Sequence, residues 1–207
     1  MERKGQSCLL TDQVAIVTGA SSGIGRAVAL AFIRQGAIVV CSDLVAAPGD
    51  DQPTHELIAK EGGRGMFVKT DVSSEESMQH LVSATVKEYG RLDIIINNAG
   101  IGPEARDPKP IWESEMQSFD AVHRINVRGV FLGCKYASAQ MISQEKKPGA
   151  VKAGSIINMS SILGILGKSG TPVYATAKGA VLSLTRAVAM DLGPHSIHCY
   201  SILPGCG

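Results

Sequence analysis

The sequence predicts an α/β protein built on a parallel sheet of six strands. Short apolar or β-branched runs alternate with longer amphipathic stretches along the 207 residues, which is the pattern of successive β-α-β units. Two of the runs, residues 15–17 and 93–96, are almost continuously apolar, as expected of strands that are covered on both faces. Because such sheets bind ligands at the carboxyl ends of their strands, polar residues that follow the strands are the first candidates for a site.

The predicted strands and helices follow one another in chain order. The strands are residues 14–18, 38–42, 65–69, 92–96, 155–159 and 197–202, and the helices lie near residues 24–35, 54–61, 74–89, 114–144 and 172–192. In the last helix Thr171 can act as the cap and Pro172 suits the first helical position. Gly193 and Pro194 end that helix. No repeat or linker interrupts the pattern, so we expect one domain over residues 1–207.

The composition favours a small-molecule partner over nucleic acid or a membrane. The net charge of +1 provides no long-range field toward nucleic acid or an anionic membrane surface. No apolar run reaches the roughly 18 residues of a membrane span. The start of the chain turns polar before a signal-like core develops, so we expect a cytoplasmic location.

The cysteines and histidines predict neither a disulfide framework nor a metal site. The five cysteines, Cys206 among them, are odd in number and contain no Cys-x-x-Cys, which suits reduced thiols. His195, His198 and Cys199 lie close together in sequence, but no second cluster completes a ligand set. We therefore expect no metal.

A glycine-rich turn follows the first strand directly and opens the first helix. It contains Gly19, Ser21, Ser22, Gly23, Ile24 and Gly25. Glycine permits the tight turn and lets backbone amides approach a pyrophosphate, while the helix N-terminus favours negative charge. The position of the turn between strand and helix predicts dinucleotide binding.

Asp43 closes the second strand and predicts which dinucleotide binds. A carboxylate at this position can accept hydrogen bonds from both hydroxyls of an adenosine ribose, and it would repel a 2′-phosphate. No Arg or Lys lies within residues 20–23 or next to Asp43 in the sequence to receive such a phosphate. NAD is therefore preferred over NADP.

Tyr174 and Lys178 stand four residues apart in the last predicted helix and so share one face. A unit charge about 5 Å from the phenol, at an effective dielectric near 20, is worth roughly 3 kcal/mol in favour of the phenolate. Ser161 follows the fifth strand and can hydrogen-bond a substrate oxygen while Tyr174 exchanges its proton, an arrangement that suffices for hydride chemistry at a carbonyl. Ser160 is the alternative to Ser161 for this role. Neighbouring residues of a strand point to opposite faces, so only one of the two serines should reach Tyr174.

Five motifs together resemble those of the short-chain dehydrogenase/reductase family, in its single-domain oxidoreductase branch. They are Thr18-Gly19-x-x-x-Gly23-Ile24-Gly25, Asn97-Asn98-Ala99-Gly100, Asn126, Ser161 and Tyr174-x-x-x-Lys178, and the resemblance runs from about Gln13 to Gly205. It implies a doubly wound Rossmann sheet, a nicotinamide dinucleotide cofactor, and an oxidoreductase that interconverts a secondary alcohol and a ketone.

The resemblance also implies residue roles. Asn126, Ser161, Tyr174 and Lys178 are the implied catalytic residues, with Ser161 chosen over Ser160 by the family spacing and Asn126 holding a water for proton relay through the lysine. The implied cofactor contacts, beyond the glycine turn and Asp43, are Asp71 and Val72 at the adenine, Asn98, Ala99 and Gly100 beside the adenosine ribose, Tyr174, Lys178, and Pro204 and Gly205 beside the nicotinamide.

The resemblance further implies segments after Gly205, namely a carboxamide-binding hydroxyl residue, a substrate flap, a helix and a seventh strand. This sequence ends at Cys206 and Gly207, so a six-stranded sheet is expected. The alternative function is therefore a catalytically impaired truncated isoform or fragment that at most binds dinucleotide or a homologous subunit. A family member that performs isomerisation or dehydration is a smaller possibility. The resemblance implies a homodimer formed through the helices near residues 114–144 and 172–192.

Overall fold

The computed structural model describes residues 8–205 except 148 and 150, so Cys206 and Gly207 lie outside the described residues. Within that part, the strands are β1 (Val14–Thr18), β2 (Ile38–Asp43), β3 (Arg64–Lys69), β4 (Ile94–Asn97), β5 (Gly154–Met159) and β6 (Ile197–Ile202). They form one parallel sheet in the order β3-β2-β1-β4-β5-β6. This confirms the predicted α/β fold, because the order is that of a doubly wound Rossmann sheet.

Helices cover both faces of the sheet. They are α1 (Gly23–Arg34), α2 (Thr54–Lys60), α3 (Glu75–Tyr89), α4 (Met116–His123), α5 (Gly129–Ser143) and α6 (Pro172–Leu192). Side chains of β1 alternate between the two faces, so Ile16 packs with α3, α5 and α6, whereas Ala15 and Val17 pack with α1 and α2. Because the chain reverses its winding between β1 and β4, a crevice opens at the carboxyl ends of these two strands.

The predicted helix 114–144 is interrupted. A π turn (Arg124–Arg128) separates α4 from α5. Asn126 lies in this turn, and its side-chain amide is bonded to the backbone of Ile101. Single π turns of this kind are frequent at functional sites, and their position follows from tertiary contacts that hydrophobic periodicity does not report.

Two further details differ from the sequence prediction. Strand β4 begins at Ile94 rather than at Leu92, because the amide and the carbonyl of Leu92 bond to the Gln144 side chain. Thr171 occupies the N-cap position of α6 but makes no side-chain capping bond, since its hydroxyl donates to the Lys168 carbonyl. The capping prediction for Thr171 was therefore wrong.

In the part of the chain that the structure describes, no helix is long and apolar enough to cross a membrane. Over the same residues, no group of three or more His, Cys, Asp and Glu side chains is arranged to hold a metal ion. The described cysteines Cys8, Cys41, Cys134 and Cys199 are free thiols.

Candidate active site

The glycine-rich turn lies at the carboxyl end of β1 and forms one wall of a cleft of about 380 Å³. Gly19 has a φ of +67°, a left-handed conformation that glycine adopts without strain. A Cβ atom on Gly25 would collide with the carbonyl oxygen of Gly19. The turn can therefore close tightly over the start of α1 and leave backbone amides facing the cleft.

Asp43 is bound to the glycine turn. Its Oδ2 accepts the backbone amide of Ser21 at 3.1 Å, and its Oδ1 accepts the amide of Leu44 at 2.8 Å. The Ser21 hydroxyl is buried and donates to the Val45 carbonyl at 2.5 Å, so this side chain is turned away from the cleft. The carboxylate of Asp43 lines the cleft together with Ser22, Gly23 and Ile24.

Arg26 supports the glycine turn through a hydrogen bond to its backbone, a role for which the sequence provides no obvious signal. Its guanidinium donates to the Ser21 carbonyl at 2.6 Å and to the Gln52 carbonyl at 3.1 Å. It also donates to the Thr54 hydroxyl at 3.1 Å and forms an ion pair with Asp51 at 3.4 Å. These contacts direct the guanidinium toward backbone and side-chain acceptors of the protein.

The segment after β4 forms the opposite wall of the cleft. The Asn98 side chain donates to the Thr18 carbonyl at 2.9 Å, and the Thr18 hydroxyl accepts the amides of Asn98 and Ala99 at 2.9 and 3.0 Å. The side chain of Asn98 therefore ties β4 to the glycine turn. Ala99 and Gly100 line the cleft.

Asp71 and Val72 close the end of the cleft beyond β3. The Asp71 carboxylate accepts hydrogen bonds from the hydroxyl and the amide of Ser73 at 2.7 and 2.9 Å. These bonds lower the pKa of Asp71 from its usual value, so the side chain is a carboxylate at neutral pH.

A second cavity, of about 430 Å³, adjoins the cleft and is lined by three of the four predicted catalytic residues. Ser161, Tyr174 and Lys178 line it, together with Pro204 and Gly205 from the segment after β6. The cleft and the cavity share Ile24, Asn98, Gly100 and Ile101 as lining residues. The two spaces therefore form one continuous groove across the carboxyl end of the sheet.

Lys178 is buried beside the ring of Tyr174. Its Nζ lies 5.5 Å from the ring centroid and donates to the Met159 carbonyl at 2.8 Å. Only 5% of the residue is exposed, and this burial lowers the pKa of Lys178 to about 8. The structure thus brings together the cation and the phenol that the four-residue spacing predicts.

The two neighbouring serines after β5 have different environments. The Ser160 hydroxyl donates to the Lys178 carbonyl at 2.8 Å and so anchors the backbone of α6. The Ser161 oxygen accepts the Leu163 amide at 3.2 Å, which leaves the hydroxyl proton to be donated into the cavity. Ser161 is therefore better placed than Ser160 to hydrogen-bond a substrate oxygen.

Asn126 is fully buried, and its side chain faces the loop after β4 rather than the phenol. Its Oδ1 accepts the Ile101 amide and its Nδ2 donates to the Ile101 carbonyl, both at 2.8 Å. The side chain is therefore occupied in holding this loop. A Cβ on Gly100 would lie 3.1 Å from Asn126 Oδ1 and 3.6 Å from Lys178 Nζ, so the asparagine and the lysine border the same small space.

Glu104 is a residue of the cavity that the sequence analysis missed. It lies in the loop after β4 with 6% of its surface exposed, and its carboxylate accepts the backbone amides of Val173 and Tyr174. Glu104 thereby caps helix α6, a function that sequence-local rules assign to Thr171. Since about seventy positions separate the acid from the helix start, no local pattern could reveal the contact.

Comparison with known proteins identifies the family. Residues 13–207 match the model of the short chain dehydrogenases. The chain belongs to the short-chain dehydrogenase family. A short chain dehydrogenase from Mycobacterium smegmatis has a similar crystal structure, with a TM-score of 0.86 and 29% identity, over 100% of this chain and 80% of that one.

Several dehydrogenases of the family are similar in sequence. The chain is 40% identical to (+)-borneol dehydrogenase 2 of Salvia officinalis over 94% of its own length, and 34% identical to cyclopentanol dehydrogenase of Comamonas sp. over 95%. It spans 65% of the sage protein and 73% of the Comamonas protein. An uncharacterized oxidoreductase of Thermotoga maritima is 39% identical over 93% of this chain and 71% of that protein.

Proposed function

We propose that the protein is an NAD-dependent oxidoreductase that interconverts a secondary alcohol and a ketone, with Tyr174 as the acid and base. The observation that carries the proposal is the placement of Ser161, Tyr174 and Lys178 in one cavity that continues into the glycine-rich cleft. A substrate in the cavity would lie next to the end of a dinucleotide that extends along the groove.

The cleft fits a dinucleotide on its own geometry. The close packing of Gly25 against the Gly19 carbonyl keeps the turn tight, and the start of α1 favours the negative charge of a pyrophosphate. Gly19, Ser22, Gly23 and Ile24 would hold the phosphates, Asp43 the adenosine ribose, and Asp71, Val72, Ala99 and Gly100 the adenosine portion. Pro204 and Gly205 would border the nicotinamide, which supplies hydride exchange when bound.

The chain's own residues would handle the proton. Ser161 would donate its hydroxyl hydrogen to the substrate oxygen, and Tyr174 would take the proton of the alcohol or return it to the ketone. The ammonium of Lys178 favours the phenolate of Tyr174, and its burial strengthens this interaction because water screens it less. Asn126 would hold a water for a proton relay through Lys178. Its amide group is bonded to Ile101, and the asparagine and the lysine border the same small space.

The surroundings of Asp43 support NAD over NADP. A 2′-phosphate would meet the carboxylate, and Arg26, the cation nearest in sequence to the turn, is directed toward Ser21, Gln52, Thr54 and Asp51. Lys69, which the sequence does not place beside Asp43, pairs with it in the register of β2 and β3, and this cation weighs against the preference. Turnover with NAD and NADP under matched conditions measures the preference, and equal kcat/KM values would contradict it.

The lining of the cavity supports a neutral, largely apolar substrate. Ile101, Ala105, Met159 and Leu163 form much of the wall around the polar groups. Two relatives are named for borneol and cyclopentanol, which are secondary alcohols with apolar rings. Compact cyclic secondary alcohols are therefore the first substrates to test.

The decisive experiment compares the wild-type protein with Tyr174→Phe. We expect turnover of such alcohols with NAD to fall by on the order of 10²-fold to 10⁴-fold in the variant, because the acid and base is lost. The matched control is Tyr200→Phe, since the Tyr200 hydroxyl contacts His198 on β6, outside the cavity. NADH fluorescence titration shows whether both variants keep the dinucleotide site.

Equal rates for wild type and Tyr174→Phe would refute the proposed chemistry. NADH binding without any turnover in the wild type would instead favour the alternative, a protein that binds dinucleotide or a homologous subunit. We further propose that two copies pair through α4, α5 and α6. The cytoplasmic location and the single domain over residues 1–207 stay predictions.

A further inference from the structure

The loop between β4 and α4 contacts the catalytic helix and the π turn at once. The backbone of Ile101 is held by Asn126, as described above. A Cβ on Gly102 would lie 3.3 Å from the Cδ2 and Cε2 atoms of Tyr174, so the backbone of Gly102 packs against the phenol ring. Glu104 then bonds to the start of α6. The loop therefore connects the asparagine, the ring and the backbone of the tyrosine within four residues.

Glu104 contacts α6 through two hydrogen bonds, one to the amide of Tyr174 and one to the amide of the residue before it. Oε2 accepts the Tyr174 amide at 2.7 Å, and Oε1 accepts the Val173 amide at 3.1 Å. Both amides belong to the first turn of the helix, where no carbonyl of the preceding turn is available. A carboxylate at this end also interacts favourably with the helix dipole.

We propose that Glu104 is a positioning residue, which holds the first turn of α6 so that the Tyr174 phenol faces Ser161 and Lys178, and whose charge adjusts the ionisation of that phenol. The inference rests on the proposed function of Tyr174. It extends that function by assigning a second task to the buried acid of the loop, beyond capping a helix.

Three charged side chains line the cavity that contains the Tyr174 phenol. Lys178 comes from the same helix, Lys168 from the segment before α6, and Glu104 from the loop after β4. The buried Lys178 ammonium favours the phenolate, and the carboxylate opposes it, whereas water screens the exposed Lys168 ammonium. Loss of the carboxylate charge should therefore lower the pH at which Tyr174 ionises.

The geometry also predicts that glutamine is a poor substitute for this acid. Both carboxylate oxygens accept a backbone amide, whereas glutamine offers one oxygen and would turn its own N–H groups toward the second amide. Glu104→Gln should thus release one of the two bonds and remove the charge. Glu104→Asp keeps both acceptors and the charge, but its side chain is one methylene shorter.

The test compares wild type, Glu104→Gln and Glu104→Asp, with Glu113→Gln as the matched control. Glu113 is an exposed acid in the same loop. In each protein the phenol is titrated by ultraviolet difference spectroscopy against the corresponding Tyr174→Phe variant, which isolates the signal of this tyrosine. Values of kcat and KM are measured in parallel, and NADH titration gives the fraction of intact sites.

We expect Glu104→Gln to ionise Tyr174 at lower pH and to lose about 10-fold or more in kcat per intact site, because a small displacement of the phenol weakens proton transfer. Glu104→Asp should keep the wild-type titration with a smaller loss in kcat, and Glu113→Gln should match the wild type. If Glu104→Gln does not fold, Glu104→Asp tests whether Glu104 positions the phenol. A kcat per intact site equal to that of the wild type would overturn this role.

The outcomes separate this inference from the proposed function. A Glu104→Gln protein with a lower melting temperature but an unchanged phenol titration and unchanged kcat per site would show that Glu104 is a helix cap alone. A wild-type protein without turnover, in which Glu104→Gln still shifts the titration of Tyr174, would refute the proposed oxidoreductase and support the action of Glu104 on the phenol.

Discussion

Lys178 performs its proposed task in a position that destabilises the protein. Burial lowers the pKa of Lys178 to about 8, well below the ordinary value of 10.5. Folding therefore disfavours the charged ammonium, which is the form that favours the Tyr174 phenolate. Below about pH 8 the ammonium is charged in both the folded and the unfolded state, and the folded state bears the full desolvation penalty. Between about pH 8 and 10.5 the unfolded state binds more protons, so this group makes stability rise with pH.

Lys178→Met should therefore stabilise the protein near neutral pH while abolishing turnover. The variant keeps the apolar stem and removes the buried charge, and we expect the free energy of unfolding to increase by about 1 to 3 kcal/mol. The gain should shrink as the pH rises from about 8 toward 10.5, because wild-type Lys178 then loses its charge in the folded state. Urea denaturation at neutral pH and at about pH 10 measures both effects.

The matched control for this substitution is Lys60→Met on α2, where the lysine is exposed. It should leave the free energy of unfolding within about 0.5 kcal/mol of wild type at both pH values. A Lys178→Met protein that is less stable than wild type at neutral pH would show that the bond to the Met159 carbonyl outweighs the desolvation penalty.

At the scale of elements, the tight turn between β1 and α1 requires that residue 25 have no side chain. A Cβ on Gly25 would collide with the Gly19 carbonyl oxygen and lie 2.7 Å from Asn98 Nδ2, and neither backbone nor anchored amide can move aside easily. Gly25→Ala should reduce the free energy of unfolding by about 1 to 3 kcal/mol and weaken NADH binding, because the turn must open. Thermal unfolding and NADH fluorescence titration measure these effects.

Gly193→Ala provides the control for the glycine turn. Gly193 ends α6 with a φ of −52°, and a Cβ there would meet no atom within 4 Å. Alanine should therefore be neutral or slightly stabilising. Wild-type NADH affinity in Gly25→Ala would contradict the assignment of this turn to the dinucleotide.

The elements also show how far the sequence determines the fold. Each of the six strands lies where hydrophobic runs and turn residues place it, to within two residues at either end. The signals are strong because strands such as β1 and β4 are buried on both faces and must be apolar. The π turn at Asn126 was missed, since a helix and a helix with one widened turn have nearly the same hydrophobic pattern.

In the candidate site too, the features that follow from local sequence were predicted, and those that depend on packing were not. Tyr174 and Lys178 are four residues apart on one helix, so their proximity follows from local geometry. Glu104 and Arg26 bond to segments distant in sequence, and their positions depend on how the helices and strands pack. The sequence could therefore predict the reacting groups, but not the residues that hold them in place.

At the scale of the whole molecule, the three helices that we propose to pair each expose an apolar side chain. Met116 on α4, Phe131 on α5 and Met190 on α6 are exposed to 66%, 53% and 80%, although these helices otherwise pack their apolar residues inward. Exposed apolar groups gain stability when a partner covers them. We propose that the homodimer implied by the family resemblance covers these side chains.

Phe131→Glu should convert the proposed dimer into a monomer, because a charge buried in the proposed interface is strongly unfavourable. Light scattering after size exclusion should give twice the mass of one chain for wild type and the mass of one chain for the variant. Val151→Glu is the control, since Val151 is 88% exposed in the segment before β5 and away from the three helices. A monomeric wild type, or a Phe131→Glu variant that stays dimeric, would contradict pairing through these helices. Because Ser161, Tyr174 and Lys178 belong to one chain's cavity, the monomeric variant should retain NADH binding, which separates loss of pairing from loss of fold.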